Sequence, residues 1–93
     1  MFDPLLHQSV RSQLMSLLIT NEELPFGALK KILEVTDGNL SSHLKKLENN
    51  GYVEIEKFFE GKRPKTVVRI TKEGRDAFKR YISELKKFIE ENG

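Results

Sequence analysis

The apolar residues of this chain recur at two periods, and the changes of period mark its elements. Leu6, Val10, Leu14 and Leu17 follow helical spacing, and Leu5, Met15, Leu18 and Ile19 widen that stripe. Asp3 suits a capping position and Pro4 a first helical position, so the pattern predicts a helix over 3–20. Asn21-Glu22-Glu23 reads as a turn. Leu24-Pro25 reads as a short extended piece, because the residue before proline avoids the helical region. Phe26 to Leu33 predicts a second, short helix. Phe26, Leu29 and either Ile32 or Leu33 face inward, with Lys30 and Lys31 outside. A third helix follows after Thr36 or Asp37 as cap. Leu40, Leu44 and Leu47 form its one narrow apolar stripe, and Gly51 stands where a left-handed residue closes the last turn.

Beyond Gly51 the period shortens to two. Val53 and Ile55 alternate with Glu54 and Glu56; Val68 and Ile70 alternate with Val67 and Arg69. Glu60-Gly61-Lys62-Arg63-Pro64 lies between them as a loop, which predicts a β-hairpin with a basic tip. Phe58 and Phe59 read as packing residues beneath the hairpin rather than as base-stacking groups. Thr71 caps a last helix over 72–91, where Phe78, Tyr81, Leu85 and Phe88 follow a 3-4-3 spacing and Ile82 and Ile89 broaden the stripe. That spacing belongs to helix packed on helix. The stripe is longer than one small core needs. It predicts a homodimer joined through the helices at 3–20 and 72–91, with Leu6, Val10, Phe78, Tyr81, Ile82, Leu85, Phe88 and Ile89 at the contact.

Composition adds to this. A chain of 93 residues, 38% apolar, makes one domain of modest core, for which a dimer interface adds useful burial. The net charge of +2 says little about partners. Placement says more: Lys62, Arg63, Lys65 and Arg69 occupy one stretch without an acid, and phosphate attraction acts within roughly 10 Å at ordinary salt. The third helix presents Ser42, Lys45 and Asn49 opposite its apolar stripe, flanked by Asn39, Ser41 and Lys46, with Glu48 turned toward the stripe. Asparagine can pair with adenine, lysine can reach guanine or phosphate, and serine suits either. His43 sits at the shoulder of the stripe and reads as a packing or hydrogen-bonding residue within the domain.

Other chemistries find little footing. With no cysteine and only His7 and His43, no metal site assembles; Asp3 and His7 share a face, but two ligands are too few. There is no nucleophile–base pair and no phosphate-cradling glycine loop, so neither an enzyme nor a cofactor is expected. No leader-like stretch and no apolar run of about 20 residues occurs, which points to a cytoplasmic protein without membrane contact.

Leu40-Ser41-Ser42-His43-Leu44-Lys45-Lys46-Leu47-Glu48-Asn49-Asn50-Gly51-Tyr52-Val53 resembles the recognition helix and wing entry of winged helix-turn-helix transcriptional regulators, of the MarR/ArsR-like, minimal single-domain type. Arg69-Ile70-Thr71-Lys72-Glu73-Gly74 is similar to that group's Leu-Thr-x-x-Gly link into the last helix, with Ile70 replacing the usual leucine. Phe26-Gly27-Ala28-Leu29 resembles the start of its second helix. The resemblance implies a mainly α fold with a small β-hairpin (α+β), in the order helix, strand, helix, helix, strand, strand, helix. It implies a homodimer on a pseudo-palindromic double-stranded DNA site. Asn39, Ser41, Ser42, Lys45 and Lys46 would then face the major groove, and Lys62, Arg63 and Lys65 the backbone or minor groove. A second reading is a winged-helix module that binds protein and not DNA; the carboxylate-free face beside a basic hairpin favours DNA. Any effector would enter a crevice near Tyr81, Phe78 and Leu14.

Overall fold

A computed structural model describes residues 2–92. Its elements are α1 (Ser9–Asn21), β1 (Glu23–Pro25), α2 (Phe26–Leu33), α3 (Asp37–Asn49), β2 (Val53–Glu60), β3 (Arg63–Ile70) and α4 (Lys72–Asn92). The helices and the hairpin fall in the predicted order. The short extended piece does more than expected, since β1 pairs antiparallel with β3 and makes the hairpin a three-stranded sheet of order β1-β3-β2.

The start of α1 departs from the pattern. The helix begins at Ser9, not at Asp3, because Gln8 is extended and its side chain caps the Arg11 N–H at 2.8 Å. Residues 3–7 form a separate turn, with the Asp3 carboxylate accepting from the Leu5 N–H and the Asp3 carbonyl from the His7 N–H. The buried face of α1 is Arg11, Leu14, Met15 and Leu18, so an arginine stands in what otherwise reads as an apolar stripe.

One core joins all layers. Leu14, Met15 and Leu18 meet Leu29 of α2, Leu40, Leu44 and Leu47 of α3, Val53 and Val68 of the sheet, and Ala77, Phe78 and Tyr81 of α4. Leu29 fills the inward position of α2, with Leu33 half-buried and Ile32 exposed. At about 25 cal/mol per Å² of apolar surface, each fully buried leucine contributes on the order of 2 kcal/mol before entropy is counted. Leu6 belongs to this core and is inaccessible, and Phe78 and Tyr81 are 5% exposed. These three, expected at a dimer contact, pack within their own chain.

The junction of α3, the hairpin and α4 sets the direction of α3. Thr36 caps α3, its hydroxyl accepting from the Asn39 N–H at 3.1 Å. At the other end Gly51 takes φ +78°. The Gly51 N–H bonds the Glu48 carbonyl and the Tyr52 N–H bonds the Leu47 carbonyl, the two bonds of a Schellman closure. Thr71 then ties the start of α4 to this turn. Its hydroxyl donates to the Gly51 carbonyl at 2.6 Å and accepts from the Gly74 N–H at 2.9 Å, while its own N–H donates to the Tyr52 carbonyl. Gly74 lies directly against that Tyr52 carbonyl, and a Cβ there would overlap the Tyr52 backbone.

Gly74→Ala is expected to destabilise the fold by about 2–4 kcal/mol, because neither backbone can yield without dragging α3 or α4 with it. Urea denaturation, read as a lowered midpoint at unchanged slope, checks this.

Candidate nucleic-acid interface

α3 places its predicted face outward. Asn39, Ser41, Ser42, Lys45 and Lys46 are all exposed, and the opposite stripe of Leu40, Leu44 and Leu47 is sealed in the core. The exposed residues divide between two flanks. Ser41 and Lys45 look into an open groove of about 440 Å³ between α3 and the sheet, which Asp37, Glu48, Ile55, Lys57 and Thr66 also line. The carboxylate-free surface is thus the crest around Ser42 and the flank with Asn39 and Lys46; the groove flank carries two acids. Lys30 neutralises one of them, at 2.7 Å from Asp37, and fixes the turn between α2 and α3 from outside. Both partners are well exposed, so the pair adds little to stability.

The wing is longer and sharper than the sequence suggests. Pairing continues to Glu60 and resumes at Arg63, so the predicted five-residue loop contracts to the two residues Gly61-Lys62. Gly61 takes φ +64°, the requirement of a tight hairpin turn at its first central position. The residues from Lys57 to Lys65 are exposed, placing Lys62, Arg63 and Lys65 on a projecting arm. Phe58 and Phe59 are not packed beneath it: Phe59 is 74% exposed and Phe58 40%. Their strand has run past the edge of the core.

Ion pairing separates the cations. Arg69, read as part of the basic stretch, is held by Glu23 at 3.0 Å, Glu56 at 3.3 Å and Glu54 at 3.9 Å. Hydrogen bonds to Glu23 and then Glu56 raise its already high pKa, so it is committed to the sheet surface. Among the described residues Lys45, Lys46, Lys62, Arg63 and Lys65 enter no salt bridge.

Two groups behind the interface escaped the sequence pattern. Arg11, 9% exposed, donates from Nε to the Leu5 carbonyl at 2.6 Å and from Nη1 to His43 Nδ1 at 2.9 Å. Arginine has no acceptor, so His43 must accept at Nδ1 and carry its proton on Nε2; the ring is neutral. His43 therefore serves within the domain, as expected. Burial lowers its pKa, with the charges of Arg11 and then Lys46 adding to the effect. The Tyr52 hydroxyl donates to the Asp3 carboxylate at 2.6 Å, and burial, then this bond, raises the tyrosine pKa. Asp3 and His7 are thus occupied separately, since His7 shares a hydrogen bond with the Tyr81 hydroxyl. Among the described residues no group of three or more His, Cys, Asp or Glu side chains gathers as for a metal, and no helix is long and apolar enough to cross a membrane. Leu14, Phe78 and Tyr81, near which the sequence placed an effector crevice, are buried side chains, and Tyr81 also lines an open hollow with His7, Gln8 and Ser12.

A family described as the winged helix DNA-binding domain matches residues 10–89. The chain belongs to that family. It is a family of DNA-binding regulators, not of enzymes. An uncharacterized Methanocaldococcus jannaschii protein, MJ0432, is 49% identical over 76 residues, covering 82% of this chain and 83% of that one. The solved structure of a transcriptional regulator homologue from Pyrococcus horikoshii superposes with a TM-score of 0.88 at 41% identity, over 92% of this chain and 85% of that one. A MarR-family regulator from Silicibacter pomeroyi shares the fold alone, with a TM-score of 0.72 at 24% identity over 89% of this chain and 55% of that one.

The neutral His43 makes stability pH-dependent. Its pKa in the folded chain lies below the usual value of about 6.5, so the unfolded chain takes up a proton first. Its contribution is complete above about pH 6.5 and is lost as the pH falls through the lowered folded value. Denaturation midpoints at pH 7.5 and 5.5 should show a larger drop for the wild type than for His43→Gln, which keeps an acceptor but does not titrate.

Proposed function

We propose that this winged-helix chain is a sequence-specific, homodimeric transcriptional regulator of double-stranded DNA. α3 enters the major groove, and the wing lies along the backbone and the adjacent minor groove. The observation that carries this reading is the pairing of an exposed polar face on α3 with an arm of unpaired cations. Asn39, Ser42 and Lys46 occupy a crest free of carboxylates, Lys45 and Ser41 adjoin it, and Lys62, Arg63 and Lys65 project on the hairpin. Lysine and arginine supply salt-sensitive affinity, and the α3 side chains supply base preference. The transcriptional regulator homologue among the structural relatives supports the same use.

Homodimerisation rests on α4. Beyond the buried Ala77, Phe78 and Tyr81, its apolar stripe continues through half-buried Leu85 to Ile82, Phe88 and Ile89, exposed by 43%, 52% and 58%. Val10 of α1 is half-buried against the core. A second copy of α4 would cover the remaining apolar surface and set two α3 helices about 34–36 Å apart, one DNA turn. Helices that cross away from their own core rarely leave such a row of apolar residues bare.

Two measurements test this. Lys45→Ala and Arg63→Ala should each weaken binding by roughly tenfold and lower the slope of log affinity against log salt by about 1. Unchanged affinity for every duplex tested would contradict DNA binding. Ile82→Glu combined with Ile89→Glu should halve the mass seen by light scattering while leaving the helical circular dichroism intact; an unchanged mass would remove α4 as the dimer contact.

A further inference from the structure

We propose that Phe59 is a minor-groove wedge: an apolar tip residue that enters beside the sugars and presses into a base step next to the site held by α3. This rests on the DNA-binding reading and names a contact that reading does not require. Register places Phe59 opposite Pro64, two residue pairs beyond Lys57–Thr66 and four beyond Ile55–Val68. Cross-strand partners share a face, and side chains alternate along a strand. Phe59 and Pro64 therefore continue the row that begins with buried Val53 and Ile70 and then lines the groove against α3 through Ile55, Lys57 and Thr66. They stand on the α3 side of the wing, about 7 Å further out than the last groove residues.

The opposite face of the arm carries Phe58 with Lys65 and Glu60 with Arg63. A hairpin entering the minor groove edge-first thus shows an apolar pair to one wall and cations to the phosphates of the other. The two-residue turn at Gly61-Lys62 makes the tip narrow, and Pro64 removes a rotatable torsion beside the phenyl ring. Phe59 is 74% exposed on a paired strand. Apolar side chains in this setting unstack a base step and widen the groove locally. Phe58, on the other face, has no such role and serves as the internal control.

The test uses full-length protein and a duplex recovered from a random DNA pool, with 2-aminopurine substituted at the steps flanking the α3 site. The wild type should brighten the 2-aminopurine at one flanking step as it unstacks. Phe59→Ala should abolish that signal and weaken binding by about tenfold, with the salt slope unchanged because no charge is lost. Phe58→Ala should match the wild type in both. A Phe59→Ala protein with wild-type affinity overturns the proposal, as does a loss of affinity without any 2-aminopurine response in the wild type. Arg63→Ala separates the two levels. If it lowers affinity and salt slope while Phe59→Ala is silent, DNA binding stands and the wedge falls. If neither variant changes anything, the underlying reading falls as well.

Discussion

The close approach of Gly74 to the Tyr52 carbonyl fixes how the other parts of the molecule are aimed. That carbonyl also accepts the Thr71 N–H, and Thr71 in turn holds the Gly51 carbonyl and caps α4. Three elements meet within a few atoms: the end of α3, the base of the wing and the start of α4. Only a residue without a side chain allows the two backbones to come so close. Once they do, the direction of α3 relative to α4 is no longer adjustable. The helix proposed to read DNA and the helix proposed to pair two copies are coupled through rigid backbone rather than through a flexible link.

The burial pattern and the charge pattern serve the same division of labour. Apolar side chains on α3 are consumed in the core, leaving only polar groups outward. Arg69 is neutralised by three glutamates at the middle of the sheet, whereas the cations nearer the wing tip remain unpaired. Positive charge therefore acts where the arm projects and not at its base. Behind α3, Arg11 and the neutral His43 replace what would otherwise be a void or an apolar contact with a directional one. A buried guanidinium is costly unless its donors are satisfied. Arg11 accordingly links the turn at Leu5, α1 and α3 into one unit.

Much of this was legible in the chain. α3 could be read closely, with only Thr36 or Asp37 as cap left open, because its cap, its stripe and its closing glycine are all local signals. The hairpin and the long α4 followed from changes of period. What escaped depends on where one element ends against another. Alternation placed Phe58 and Phe59 on a strand but did not tell that the core stops at Ile55. The apolar row of α4 marked a packing face but not which part its own chain covers, so Phe78 and Tyr81 fell to the core while Ile82 and Ile89 stayed bare. Leu6 followed the period of α1 yet lies on a separate turn, since Gln8 interrupts the helix and caps it. Arg11 escaped because a buried cation in an apolar stripe has no signature until its acceptors, Leu5 and His43, are brought beside it.

Selection of bound sequences from a random double-stranded DNA pool tests the central claim most directly. Two α3 helices held by paired α4 helices should enrich a pseudo-palindrome whose half-sites are centred about 10 base pairs apart. Recovery of no enriched sequence, or of single half-sites without a symmetric mate, would contradict the account.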